Sequence, residues 1–194
     1  MSADDRLPHA QMTATDGPDI RLPCSSKRVT LRRLRLDDLP TFAAYRADPE
    51  VARWQGWTPM ATDEARAFLV EMADVPLFVR GEWTQIAIAD AASDALAGDI
   101  GLFLAGDAHT AELGITLARG AQGRGLATEA VALALQLVFA ATRVERVLGV
   151  TDARNAPCIR LLERAGMQRH ARREALFRGE PCVEFVYVAE RPLR

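Results

Sequence analysis

Three glycines stand close together in Arg119-Gly-Ala-Gln-Gly-Arg-Gly125, after one short apolar run and before a long one. Glycine lets a backbone turn sharply and approach a ligand with no Cβ in the way. The first turn of a helix carries unpartnered N–H groups and a partial positive charge. A strand, a glycine loop and a helix in succession therefore suit a phosphate. The same residues also suit a tight turn with no ligand, and glycine count does not separate the two. Two nucleotide motifs do not fit. A P-loop needs a lysine at its end, and this segment has none. A dinucleotide fingerprint needs a third glycine where Gly123-Arg124-Gly125-Leu126-Ala127-Thr128 ends in threonine.

Metal chemistry is not expected. Cys24, Cys158 and Cys182 have no close pairing, and no HExxH or clustered Cys/His spacing occurs. His9, His109 and His170 are assigned no role. The chain has 194 residues with 24 basic and 26 acidic side chains, so a formal charge of −2, and 49% hydrophobic residues. This is the balance of a soluble globular protein and implies neither nucleic-acid nor membrane-surface binding. No apolar run approaches a membrane span. Lys27 is the sole lysine, so any cation in a site is expected to be an arginine. The start has neither basic flank nor apolar core, and a cytoplasmic setting is the default expectation.

The elements that must position the loop follow from pattern. Residues 1–26 are rich in Asp, Pro, Thr and Ser and read as a flexible or loosely docked arm, with a single domain over 27–194. Val29–Leu34 is a plausible strand. Asp37 is expected to cap a helix to about Ala47, and Thr62 to cap the next, whose Ala65, Phe68, Leu69 and Met72 recur at helical spacing. Trp83–Ala89, Asp99–Leu104 and Ala111–Leu117 are short strands between tight turns, which suggests an antiparallel meander. Leu126–Ala141 reads as a buried helix, apolar nearly all round. Arg146–Thr151 reads as a strand, Ala156–Ala165 as a helix stopped by Gly166, and Cys182–Ala189 as a last strand.

Gln122-Gly123-Arg124-Gly125-Leu126-Ala127 matches Q/R-x-x-G-x-G/A, and the chain resembles the GNAT superfamily of acyl-CoA-dependent N-acetyltransferases. Ala111-Glu-Leu-Gly-Ile-Thr-Leu117 and Asn155-Ala-Pro-Cys-Ile-Arg-Leu-Leu-Glu-Arg-Ala-Gly-Met167 are similar to its RimJ/RimL-like branch, and the likeness runs over about residues 28–189. The resemblance implies an α/β (α+β) GNAT fold: a mixed, mostly antiparallel twisted sheet with helices on both faces and two parallel central strands that splay apart. It implies acetyl-CoA as co-substrate and no metal. Pyrophosphate would be held by Gln122, Gly123, Arg124, Gly125, Leu126 and Ala127, and pantetheine by the backbone of Ile115 and Leu117. Asn155, a natural N-cap before Ala156-Pro157, would also touch the cofactor. Trp54 and Trp57 lie in the segment that shapes the acceptor pocket in similar proteins.

Glu112 shares a strand face with Gly114 and Thr116 and is the candidate base; a solvated or ion-paired acid is the alternative. Cys158 stands where the branch has serine, the residue credited with helping the thiolate leave. A helix N-terminus would lower the pKa of its thiol, and a buried, inert cysteine is the other reading. Tyr45 and Tyr187 are the remaining candidate acids. Arg169, Arg172, Arg173 and Arg178 form either a solvated basic patch or an attraction for an anionic ligand. The expected activity is acetyl transfer to a primary amine, of a small molecule or a protein N-terminus, in a ternary complex of a monomer or homodimer. A catalytically weak acyl-CoA-binding sensor is the alternative, supported by the cysteine.

Overall fold

The computed structural model describes residues 21–192. Eight strands form one sheet: β1 (Cys24–Ser25), β2 (Val29–Arg32), β3 (Trp83–Asp90), β4 (Leu96–Leu104), β5 (Thr110–Leu117), β6 (Arg146–Asp152), β7 (Gln168–Phe177) and β8 (Glu180–Glu190). Their order is β1-β2-β3-β4-β5-β6-β8-β7, and every neighbouring pair is antiparallel except β5 and β6. The helices are α1 (Leu39–Arg46), α2 (Pro49–Ala52), α3 (Thr62–Asp74), α4 (Leu126–Ala141) and α5 (Ala156–Arg164).

Each sheet face buries its own apolar set. On one face α4 and α5 cover Ile86, Ile88, Ile100, Leu113 and Val147, among others. On the other, α1 and α3 bury Leu34, Phe42, Leu69 and Met72 against Ala87 and Leu96. The expected meander is β3-β4-β5, and α4 has the bounds its apolar run predicts. Its buried residues include Ala130, Val131, Ala134, Leu137 and Val138, so it is central.

Several local expectations are corrected. Cys24 and Ser25 pair with Leu31 and Thr30, so the sheet reaches into residues expected to belong to the arm; residues 1–20 lie outside the described residues. Asp37 caps no helix: a 3-10 turn over Leu36–Asp38 leads into α1. The next residue, Asp38, is buried and accepts two hydrogen bonds from Arg32 at 2.8 Å and one from the Arg35 N–H at 2.9 Å. Thr62 is the first residue of α3 rather than its cap; the Glu64 carboxylate takes up the Ala61 N–H at 2.8 Å.

One charged group is buried between α1 and the sheet. Arg46, 2% exposed, donates to the Asp99 carboxylate at 2.8 Å, and the Tyr45 hydroxyl donates to the same carboxylate at 2.7 Å. The Arg46 Nε finds no hydrogen-bond partner. Its guanidinium instead lies over the rings of Trp57 at 4.4 Å and Phe42 at 4.9 Å, where a cation is attracted to the ring face. Burial pushes the Asp99 carboxyl up, and Arg46 opposes that shift. Removing one partner of a buried ion pair strands the other, at a cost of about 3–5 kcal/mol. Asp99→Ala is therefore expected to lower stability by about that amount in chemical denaturation.

Candidate active site

The site is built around the place where β5 and β6 part. They pair in parallel only at Thr110/Arg146, Ala111/Val147 and Glu112/Leu148. Beyond Glu112, β5 stays paired to β4 as far as Leu117/Gly98, and β6 stays paired to β8 as far as Asp152/Glu184. The direction of the open edge follows from the ladder. The Ala118 N–H donates to the Ala97 carbonyl, which makes that pair hydrogen-bonded and its neighbour Leu117/Gly98 not. By alternation, the backbone groups of Ile115 and Leu117 point away from β4 into the gap, while the Leu113 N–H is taken up by β6 through the Glu112/Leu148 pairing.

Two carboxamides meet that edge. Gln55 donates to the Ile115 carbonyl at 3.1 Å, and Gln122 to the Leu117 carbonyl at 3.1 Å. Glu112 sits at the last paired position, half-buried. Desolvation raises its carboxyl above the usual carboxylate range; Arg173 pulls it back, and Glu184 pushes it further up.

The glycine loop ends in Gly125, which is left-handed at φ 76° and caps α4 without a side chain, so the first N–H groups of the helix stay uncovered by any cap. Gln122, Gly123, Arg124 and Gly125 are exposed, while Leu126 is buried and anchors the helix start. Arg28 packs against this turn. It donates to the Arg124 carbonyl at 2.7 Å and to Glu129 at 2.7 Å, and Glu129 also accepts from Ser26 at 2.8 Å. These contacts lower the Glu129 carboxyl below its ordinary range, Arg28 contributing most. Lys27, Arg28 and Arg124 line a small cleft of about 250 Å³ with Asp90, Ala92 and Leu126. Arg28 is the residue that sequence reasoning missed, because about one hundred positions separate it from its partners and no pattern marks it.

Across the gap, the Asn155 carboxamide oxygen accepts from the Cys158 N–H at 3.2 Å and caps α5, as its place before Pro157 predicts. The expectation that this helix start lowers the Cys158 pKa is corrected: burial pushes the thiol up, and a contact with Thr151 offsets part of it. Both tyrosine hydroxyls are engaged, Tyr45 with Asp99 and Tyr187 with Glu163 at 3.0 Å. Trp54 lies beside Arg53 at 5.0 Å and Arg154 at 5.7 Å. Beyond β6, a cleft of about 840 Å³ is lined by Asp152, Arg154, Glu174, Leu176, Cys182 and Val183, among others.

The arginines near the last hairpin do not form one patch. Arg173 pairs with Glu184 at 2.8 Å and Arg169 lies over Phe185 at 4.8 Å. Arg178 and Gly179 form a two-residue turn between β7 and β8, both at positive φ, as a type I′ hairpin requires. That turn carries the Arg178 side chain onto the carbonyls of Ala52, Gln55 and Trp57, at 3.0, 3.2 and 2.8 Å. Among the described residues no group of three or more His, Cys, Asp or Glu could hold a metal ion, and no helix is long and apolar enough to cross a membrane.

The acetyltransferase (GNAT) domain family matches residues 28–168. The chain belongs to that family. The GNAT fold is seen again in solved relatives. An acetyltransferase of the GNAT family from Bacillus anthracis superposes with a TM-score of 0.77 at 19% identity, covering 86% of this chain and 97% of its own. A spermidine N-acetyltransferase from Vibrio cholerae, solved with CoA and spermine, gives 0.72 at 18% identity, with 86% and 97% covered. In sequence, the uncharacterized N-acetyltransferase p20 of Bacillus licheniformis is 27% identical over 145 residues, spanning 74% of this chain and 81% of its own. The protein is an acetyltransferase with the GNAT architecture, and the open gap lies between its two parallel strands.

Gly125 gives this GNAT loop a checkable constraint. A Cβ there would meet the Arg28 guanidinium at 2.9 Å and would sit on a left-handed backbone. Gly125→Ala is expected to cost about 1–2 kcal/mol in denaturant unfolding, the usual penalty for a side chain in that conformation.

Proposed function

We infer that the protein is an acetyl-CoA-dependent N-acetyltransferase of the RimJ/RimL-like branch, and that it transfers acetyl directly to a primary amine within a ternary complex. The observation that carries this reading is the position of Glu112. It is a half-buried carboxylate with a raised pKa, on β5 at the point where β5 and β6 part. Acetyl-CoA supplies the electrophilic thioester carbonyl. The backbone edge of Ile115 and Leu117 would hold its pantetheine arm, and the amides of Gly123–Ala127, with Gln122 and Arg124, would hold its pyrophosphate. Asn155, fixed as the cap of α5, presents its remaining amide donors toward the cofactor.

Glu112 takes the proton from the attacking ammonium, directly or through one water. N–H groups on the open edge of β5 hold the oxygen on which charge develops. The raised pKa keeps Cys158 a neutral thiol, which suits a proton donor to the departing thiolate rather than a nucleophile. Trp54 and Trp57 form the acceptor wall. The acceptor is a primary amine on a small molecule or at a protein N-terminus. The branch assignment rests on the Asn155–Met167 motif and the text around Glu112.

The test is a panel of amines incubated with acetyl-CoA, with acetylated product detected by mass spectrometry and rates followed against pH. A base must be ionised to work, and the folded pKa of Glu112 lies above its ordinary value. The rate is therefore expected to climb with pH along an acid limb that sits above the usual carboxylate range. Glu112→Gln should lower turnover by about 10²–10⁴-fold and abolish that limb. A variant with wild-type turnover and an unchanged profile would remove Glu112 from the base role.

A further inference from the structure

The segment from Ala52, the last residue of α2, to Trp57 reaches from the open edge of β5 to the residues just past β6. It is held from several sides. Arg178 binds the carbonyls of Ala52, Gln55 and Trp57 from the hairpin tip. Trp57 rests on the buried Arg46 guanidinium, and the Met60 N–H donates to the Arg46 carbonyl at 3.0 Å. Trp54 lies beside Arg154, two residues beyond the end of β6. From the middle of this strap, the Gln55 carboxamide reaches the Ile115 carbonyl at 3.1 Å.

That carbonyl points into the gap, away from β4. A strand-like ligand adding to β5 would place its own donor there. The Gln55 carboxamide, 3.1 Å from the oxygen, stands where that donor must stand. Satisfying a backbone carbonyl that the sheet leaves unpaired is worthwhile without a ligand. With a ligand, the two donors compete.

We propose that Gln55 sets the affinity of the acyl-CoA site. Its carboxamide holds the Ile115 carbonyl in the unliganded protein and yields it to the pantetheine arm on binding. Arg178 keeps the strap backbone in place, so the exchange needs rotation of the Gln55 side chain alone. The proposal rests on the acyl-CoA reading of the gap given above. It makes Gln55 an internal competitor, a role that nothing in its local sequence marks.

Calorimetric titration of the full chain with free coenzyme A separates the possibilities. Wild type, Gln55→Ala and Gln55→Ser are compared, with thermal unfolding confirming that each variant is folded; the serine variant serves if alanine disturbs the strap. Losing a competing neutral hydrogen bond is expected to tighten coenzyme A binding by about two- to tenfold in both variants. Unchanged affinity would show that Gln55 and the cofactor share the carbonyl or never meet. Weaker affinity would show that Gln55 contacts the bound cofactor. Either result overturns the proposal while leaving the acyl-CoA site intact. Failure of the wild type itself to bind coenzyme A would overturn the site and the proposal together.

Discussion

Backbone N–H and C=O groups withdrawn from water need partners, and the edge of β5 beyond Glu112 is where this sheet stops supplying them. The opening arises because each strand is committed to its outer neighbour. β5 keeps its register with β4 to Leu117, and β6 keeps its register with β8 to Asp152. Leu162 of α5 and Met167 just after it pack against Gly149 of β6. The rest of the site answers this constraint. Gln122 and Gln55 take two of the edge carbonyls, Glu112 marks the last paired position, and the strap carrying Trp54 and Trp57 crosses the gap.

The same geometry explains how a domain with almost no net charge suits a polyanionic ligand. Formal charges omit the uncapped N–H groups of α4, which the left-handed Gly125 leaves open. The local cations, Lys27, Arg28 and Arg124, are contributed by two distant parts of the chain. Arg28 ties the β1–β2 turn to the first turn of α4 through Glu129, a carboxylate well placed near a helix N-terminus. The expectation that any cation here would be an arginine is corrected by Lys27, which lines that cleft with Arg28 and Arg124.

Features encoded by local pattern were legible from sequence. The apolar run of α4 predicted both of its ends, the short apolar strands predicted the meander, and Asn155-Ala-Pro predicted a capped helix start. Features whose cause is distant were not. β7 has six charged or polar residues among its ten and no inward alternation, so its pairing with β8 leaves no mark on its own sequence. Asp38 fits a cap by type, yet Arg32 claims its carboxylate. Gln55 carries no mark in its local sequence and Arg178 reads as one of a basic cluster, until the fold brings them to carbonyls 60 and more than 120 positions away. Cys158 is a further case: its place at a helix start argued for a lowered pKa, while burial, which its local sequence does not show, raises it.

The open edge of β5 is the proposed seat of the ligand. Amide hydrogen exchange, followed residue by residue with and without coenzyme A, addresses it directly. Slowed exchange is expected at Ile115 and Leu117, whose N–H groups face the gap, and at Gly123–Ala127. Gly114 and Thr116, already bonded to β4, should change little. Protection that spares the gap-facing residues, or that centres on another edge of the sheet, would contradict it.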